Sequence, residues 1–528
     1  MKKALKVFLI FVISVLILAG VAAFIAPAFL TTPLKKALTE EFSRQTDQDF
    51  TLDFSTFDIG LLRRSITVDS IVVRPDSASP HIRKISASSV SIAGIHWFSL
   101  INKPFPNFER IIIQQPDVEL YSRDFSSSAF ANSGNSSTDD ITKKLATFDL
   151  IINKGKGRII RPNKQEIFRV DDISVEARDV NINELLDGSQ LIFMDNLIIN
   201  GSGLRLSMER KLYEITAGDF TFNKKSQYAS LADFALTPLA PKYRFSEIKN
   251  RQIDRIDLNI PGIEFIGFDM ASLANRHFEL DSLHISGARM EVFRDKYKER
   301  PPGIHPKPLL YEIATSTDFS FGLNKAVISN SNITYEEHKP PAQNTGSITF
   351  NNINATIQDF RTQSHPKFKE DSLKLDVETL FMNTSRMTLD VRYATFDRNN
   401  THRVSVNLDS FDPKEAGDML QNVGFVKIED GLVENLNANY SLNSKSASGD
   451  VRLQYRDLKV SFLNKDNPEK TGLKQQFGDF IANTFVLKSD NLGESTRIGE
   501  INFERDVEKS IFAYWWKSLL DGIKEVIK

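Results

Sequence analysis

Residues that could support catalysis or metal binding are sparse in this 528-residue chain. Among its eight histidines, His277 and His284 lie close together, but a separation of seven residues in a β-strand puts two side chains on opposite faces. They therefore do not form a two-ligand metal clamp. The chain has no cysteine, which excludes disulfides, thiolate metal sites and cysteine nucleophiles. We predict no metal site and no cofactor.

The other motif-like stretches lack the context that an active site needs. Gly155 and Gly157 occur in NKGKGRII, but the surrounding residues complete neither a P-loop nor a dinucleotide fingerprint, so a turn between strands is the simpler interpretation. Carboxylates such as Asp257 and Asp390 fall at solvent-facing strand positions, and we find no carboxylate pair that would suit a glycan-active enzyme. The sequence predicts no catalytic residue and a protein that is not an enzyme.

The charge balance also argues against nucleic acid as a partner. The chain has 66 Lys and Arg residues and 68 Asp and Glu residues, so its formal net charge is −2. Without an excess of basic side chains there is little to hold a phosphate backbone. A composition with 41% hydrophobic and 25% charged residues is typical of a folded chain.

An alternation of apolar and polar residues runs through most of the chain from about residue 50. The segment FELDSLHISGARMEVF, 278–293, predicts two short strands separated by Ser286, Gly287 and Ala288. Similar segments start at Phe108 and Phe193, so the three copies are 85 residues apart. Because the intervening side chains are polar, we expect a sheet with one apolar and one solvated face.

The N-terminus has the pattern of a membrane anchor. Residues 7–25 are nineteen residues without a charge, which as a helix would span about 28 Å, close to the thickness of a bilayer core. Lys2, Lys3 and Lys6 precede them, so the positive-inside rule predicts a cytoplasmic N-terminus in a single-pass protein. Small residues after the apolar run leave a cleaved signal peptide as the alternative.

The last residues of the chain predict an amphipathic helix. Ile511, Trp515 and Leu519 follow one another at steps of four, with Trp516 beside them. Such a helix either closes the open end of the sheet or contacts a membrane through its aromatic residues.

These patterns divide the chain into six segments: a cytoplasmic stub and anchor (1–30), a short helix (31–49), a β-repeat region (50–297), a Pro-rich linker (298–310), a second β region (311–504) and the terminal helix (505–528).

Two later stretches, TDFSFGLNKAVISNSNITYEE and VKIEDGLVENLNANYSLNSKSASGDVRLQYRDLKV, complete a pattern that resembles the AsmA-like proteins of Gram-negative envelopes. The resemblance implies a mainly β protein whose long antiparallel sheet curls into a groove with an apolar concave face. It implies a location in the inner membrane with most of the chain in the periplasm. It also implies the binding or transfer of phospholipid, or another acyl-chain lipid, in outer-membrane biogenesis.

Two hypotheses differ in what covers the apolar face. If acyl chains cover it, the candidate lining residues are Val90, Ile92, Val118, Leu120, Leu283, Ile285, Leu453 and Tyr455. If a second protein layer covers it, the chain is an envelope scaffold or outer-membrane assembly factor built of self-filled β-sandwiches. The second hypothesis predicts an envelope protein partner at the Ser/Asn-rich 125–140 stretch or at the terminal helix.

Overall fold

The computed structural model describes residues 7, 10–12, 14, 15, 31–46, 49–75, 82–101, 107–122, 147–180, 196–208, 212–269, 276–362, 372–463, 488–493 and 496–527. Its 24 strands are assigned to one mixed sheet, so the prediction of a mainly β protein is confirmed. The chain divides into two compact units, Met1–Asp233 and Phe234–Lys528, and the division falls within the strand Tyr228–Pro238.

The first unit begins with helix α1 (Thr31–Gln45), close to the predicted helix at 31–49. Its strands are β1 (Phe50–Asp53), β2 (Phe57–Gly60), β3 (Ser65–Pro75), β4 (Ile82–Ala93), β5 (Arg110–Gln114), β6 (Asp117–Tyr121), β7 (Phe148–Ile160), β8 (Glu166–Val180), β9 (Leu197–Ser202), β10 (Leu204–Met208), β11 (Tyr213–Ala217), β12 (Phe220–Asn223) and the start of β13 (Tyr228–Pro238). A 3-10 turn, Trp97–Ile101, follows β4.

The second unit contains helices α2 (Lys242–Lys249), α3 (Leu310–Thr315), α4 (Gly417–Asn422) and α5 (Ile511–Ile527). Its strands after β13 are β14 (Asp254–Phe268), β15 (His277–Ser286), β16 (Arg289–Asp295), β17 (Ser320–His338), β18 (Gly346–Arg361), β19 (Ser372–Phe381), β20 (Ser385–Ala394), β21 (His402–Leu408), β22 (Val426–Leu442), β23 (Ser446–Phe462) and β24 (Ile498–Glu504). The predicted Pro-rich boundary at 298–310 lies inside this unit.

The prediction of a purely antiparallel sheet is wrong. Strand β7 runs parallel to β5 and β6, and β17 runs parallel to β15 and β16. A parallel neighbour requires a crossover of about a dozen residues or more, and both parallel steps follow long connections. One of these connections, 296–319, contains the predicted linker; the other includes the 125–140 stretch, which lies outside the described residues.

Each copy of the 85-residue repeat forms two short strands that lie end to end. Strands β15 and β16 both pair with β14, as β5 and β6 pair with β4, and β9 and β10 with β8. The two strands predicted in 278–293 are therefore confirmed. At the breaks, Gln115, Gly203 and Gly287 adopt positive φ angles of 48°, 68° and 68°. Such a break shifts the alternation by one residue, so both halves can present apolar side chains to one face.

The predicted transmembrane helix is not found among the described residues, none of whose helices is long and apolar enough to cross a membrane. Most of the 7–25 stretch lies outside the described residues. Its described apolar members are buried and belong to the apolar cluster of the first unit, together with Leu38 and Phe42 of α1; these members are Val7, Ile10, Phe11, Val12 and Val15.

Candidate functional site

Two rows of apolar side chains cross the strands of the second unit in register. In each row the paired residues of successive strands are all aliphatic or aromatic, because the strands align their apolar positions. Row one consists of Phe265, Leu283, Ala326, Ile357, Leu375, Val391, Val404 and Tyr440. Row two consists of Ile263, Ile285, Ile328, Ala355, Val377, Leu389, Val406, Ala438 and Val451.

The residues between the two rows point to the opposite face and are polar except for Val327. On successive strands these paired residues are Glu264, His284, Val327, Thr356, Asp376, Asp390, Ser405, Asn439 and Asp450. Arg392 binds both Asp376 and Asp390 on this face, at 2.8 and 2.6 Å. The contrast between the faces matches the expectation of a sheet with one solvated side.

Burial differs between the two ends of the rows. On β21 to β23 the row residues Val404, Tyr440 and Val451 are buried. On β15, β18 and β19 the row residues Leu283, Ile357 and Leu375 are only half-buried. The apolar rows are therefore covered at the C-terminal strands, whereas further along the sheet their larger side chains are partly exposed and the small Ala326 and Ala355 are buried.

Helix α5 provides the cover at the C-terminal strands. Trp515 and Leu519 are buried in one cluster with Val404 and Val451. The helix backbone approaches the sheet closely, because a Cβ atom built on Gly522 would lie 2.5 Å from Cγ2 of Val451. The phenol of Tyr440 also donates a hydrogen bond of 3.2 Å to the carbonyl oxygen of Trp515. One face of α5 thus packs against the sheet.

A buried histidine fixes the position of the helix. The indole Nε1 of Trp515 lies 2.9 Å from Nε2 of His402. Indole nitrogen can only donate, so Nε2 accepts, and Nδ1 carries the proton that it donates to the carbonyl oxygen of Asn400 at 2.7 Å. Burial lowers the pKa of His402 to about 4, and the charge of Arg505 acts in the same direction. The ring is therefore neutral at neutral pH.

We expect helix docking to weaken in acid. The unfolded chain binds a proton at His402 near pH 6.5 and the folded chain only near pH 4. The contribution of neutral His402 to the free energy of unfolding is thus complete above pH 6.5 and is lost as the pH falls through 4. The total loss is about 3 kcal/mol. Urea titrations followed by tryptophan fluorescence at pH 7 and pH 4 measure it. The His402→Gln variant keeps an acceptor for Trp515 but does not titrate. If the wild type and this variant lose the same free energy of unfolding between pH 7 and pH 4, His402 is not the cause of the acid sensitivity.

The first unit carries a similar pair of apolar rows. Ile66, Ile92, Ile111 and Leu150 are paired in one of them. The other contains Val68, Val90, Ile113, Ile152, Val175, Ile199 and Phe222. All these residues belong to, or pack against, the cluster that includes α1 and the described residues of the 7–25 stretch. The apolar face of this unit therefore accepts apolar side chains that come from outside the sheet.

The structure places the eight predicted lining residues in three environments. Val90 and Ile92 are buried on β4, while Val118 and Leu120 are half-buried on β6. Leu283 and Ile285 are half-buried members of the two rows of the second unit. Leu453 and Tyr455 are buried on β23 within the cluster of α5. Of the predicted helix residues, Trp515 and Leu519 face the sheet, Ile511 is half-buried and Trp516 is exposed.

Sequence reasoning missed an aromatic stack in the second unit. The rings of Phe268, Phe278, Phe321 and Phe360 follow one another at centroid distances of 6.5, 6.1 and 5.9 Å. They lie on β14, β15, β17 and β18, the strands with half-buried row residues. The only sequence signal was the phenylalanine that starts the repeat copy at 278. Within the described residues, no three His, Asp or Glu side chains are grouped to hold a metal ion.

No protein-family model matches this chain, and the comparison with curated proteins finds no match either.

Proposed function

We propose that this chain is a membrane-anchored periplasmic lipid-binding or lipid-transfer protein of the AsmA-like type. It holds acyl chains of phospholipid, or of another lipid, against its apolar rows and contributes to outer-membrane biogenesis. In this proposal the 7–25 stretch serves as its single inner-membrane anchor, and its described residues leave the apolar cluster of the first unit, in which they are buried here, when they enter the bilayer. The observation that carries the proposal is the pair of rows in the second unit, whose larger side chains on β15 to β19, such as Leu283, Ile357 and Leu375, are half-buried, while the small Ala326 and Ala355 between them are buried.

The size and chemistry of the rows suit a lipid tail. The part of the rows outside the helix cover crosses five strands, β14, β15, β17, β18 and β19. At a spacing of about 4.8 Å this part is roughly 20 Å long, about two thirds of the hydrocarbon thickness of a bilayer, which is enough for one acyl chain. Each methylene group that leaves water on this face contributes about 0.8 kcal/mol. The row positions are aliphatic or aromatic, so binding depends on apolar contact and not on recognition of a headgroup.

A scaffold function is the second candidate. The near-complete burial of Val90 and Ile92 favours it, because in the first unit the chain's own segments cover the apolar face. Stacked sandwiches would require facing sheets, whereas the described strands are assigned to a single sheet. The half-buried rows of the second unit lead us to prefer lipid binding.

A matched pair of variants tests the proposal. Ile357 and Thr356 are neighbours on β18 and point to opposite faces. Ile357→Asp places a charge in row one, so we expect it to remove most of the phospholipid that co-purifies with the detergent-extracted protein. Thr356→Asp should leave that lipid in place. Mass spectrometry of extracted lipid gives the result, and circular dichroism checks that both variants fold. Equal lipid content in both variants, or none in the wild type, would count against lipid binding.

A further inference from the structure

Four apolar residues form an exposed projection on the first unit, which we call the apolar tip. They are Leu61, Leu62, Trp97 and Phe98, from the turn between β2 and β3 and from the 3-10 turn after β4. The side chain of Leu62 is 100% exposed and that of Phe98 is 86% exposed. Isolated exposed apolar residues are common, but a cluster of large ones marks a site of interaction.

Hydrogen bonds hold the two segments of the tip together. The indole Nε1 of Trp97 donates to the carbonyl oxygen of Leu61 at 3.1 Å. The guanidinium of Arg64 donates to the carbonyl oxygens of Gly94 and Ile95, each at 3.1 Å. The backbone nitrogen of Ile95 donates in return to the carbonyl oxygen of Arg64 at 2.9 Å. Trp97 also packs against the core, so Leu62 and Phe98 project from a fixed base.

The charges at the tip favour an anionic surface. Arg64 is paired with Glu109 at 3.0 Å and contributes no net charge. Arg63 is exposed next to Leu62, and we find no ion pair for it among the described residues. A tryptophan at the base, protruding leucine and phenylalanine, and an unpaired arginine are the side chains that suit the headgroup layer of a bilayer.

Helix α1, which follows the 7–25 stretch in the sequence, begins toward the end of the first unit that carries the tip. Helix α1 packs along β1 and β2, and its last residue precedes β1, where Phe50 lies opposite Pro75 at the far end of β3. Lys35, near the start of α1, contacts the carbonyl oxygen of Phe54 between β1 and β2. The start of α1 therefore lies toward the β2–β3 turn, the end of β3 that carries the tip.

We propose that the apolar tip inserts into the headgroup layer of the anionic bilayer that holds the 7–25 stretch. The inference rests on the anchoring part of the proposed function and adds a second point of membrane contact. Two contacts fix the orientation of the first unit on the membrane, whereas a single helix would leave it free to rotate. The occupant is a lipid surface, because Leu62 and Phe98 are almost fully exposed beside the exposed Arg63.

The absence of cysteine from the chain makes a direct test possible. Single variants Leu62→Cys, Phe98→Cys and, as a control on the exposed β12–β13 turn, Ser226→Cys are labelled with an environment-sensitive fluorophore in the full-length protein. The proteins are reconstituted in vesicles of phosphatidylcholine and phosphatidylglycerol that contain brominated phospholipid. We expect a blue shift and bromine quenching at positions 62 and 98, and neither at 226. Adding Arg63→Glu should reduce the quenching at 62.

The possible failures can be told apart by vesicle flotation. If the protein floats with the vesicles but the labels at 62 and 98 stay in water, the tip does not insert and this inference is overturned. Equal quenching at 226 would overturn it as well, because the contact would then be non-specific. If the protein does not float at all, anchoring itself fails, and the inference fails with it.

Discussion

Replacing Gly522 with leucine should detach the C-terminal helix from the sheet. A Cβ atom at this position would lie 2.5 Å from Cγ2 of Val451 and 2.8 Å from Cγ1 of Ile501. On the sheet side, a Cβ atom on Gly499 would lie 2.0 Å from the carbonyl oxygen of Gly522, so neither surface can move closer. Overpacking of this kind costs about 3 kcal/mol or more when the backbone must shift.

The sign of the change in the free energy of unfolding distinguishes overpacking from helix propensity. Leucine stabilises a helix by roughly 1 kcal/mol relative to glycine, so propensity alone would make the variant more stable. Chemical unfolding followed by tryptophan fluorescence should show a lower free energy of unfolding for Gly522→Leu. The control is Gly417→Ala at the start of α4, where a Cβ atom would meet nothing within 4 Å. The control should be neutral or slightly stabilising. A stabilised Gly522→Leu would show that α5 does not pack as described.

Replacing Trp515 with alanine should lower the free energy of unfolding by about 3–5 kcal/mol, as is typical when a buried tryptophan is truncated. The variant loses the contacts of Trp515 with the cluster and also the donor to Nε2 of His402. A buried acceptor without a donor adds its own penalty. We expect the row residues beneath the helix to become accessible, which increased binding of an apolar dye would report.

The neighbouring tryptophan provides the matched control. Trp515 is 9% exposed and Trp516 is 49% exposed on the same helix. Trp516→Ala should therefore change the free energy of unfolding by much less than Trp515→Ala. Similar losses in the two variants would contradict the described orientation of α5.

The strands and the apolar face were predictable because alternation is a local signal. Between Leu283 and Val292 the apolar residues change from odd to even positions at Gly287, and the structure has a break between β15 and β16 there. The terminal helix was predictable from its steps of four, although it begins at Ile511 and not at residue 505. The hydroxyl of Ser510 lies 3.4 Å from the backbone nitrogen of Ala513, which is consistent with a helix start there.

The parallel pairings were not predictable from alternation. A strand shows the same pattern in either direction, and direction depends on the connection that precedes the strand. The Pro-rich 298–308 stretch favours the interpretation as a linker, because proline favours extended segments, yet the structure places it in the crossover between the parallel neighbours β16 and β17. The length of the rows was also not predictable. Each strand aligns only with its direct neighbours, so the alignment of distant strands such as β18 and β21 depends on the register of every strand pair between them.

One half of the apolar tip could have been found from the sequence. Leu61 and Leu62 occur in GLLRRS, a turn between two short strands, where polar residues are usual. The partner segment WFSL is 36 residues away, and only the structure shows that Trp97 binds the carbonyl oxygen of Leu61. The exposed leucines are therefore predictable from the turn sequence, whereas their contact with Trp97 is visible only in the structure.

The central claim is that lipid covers the open part of the apolar rows. The most direct measurement places a photo-crosslinking amino acid at position 283 in row one or at position 284 on the polar face, in cells that express the full-length protein. After irradiation, mass spectrometry of the purified protein should find phospholipid adducts at 283 and none at 284. The absence of lipid adducts at 283, with cross-links only to protein segments, would contradict the account.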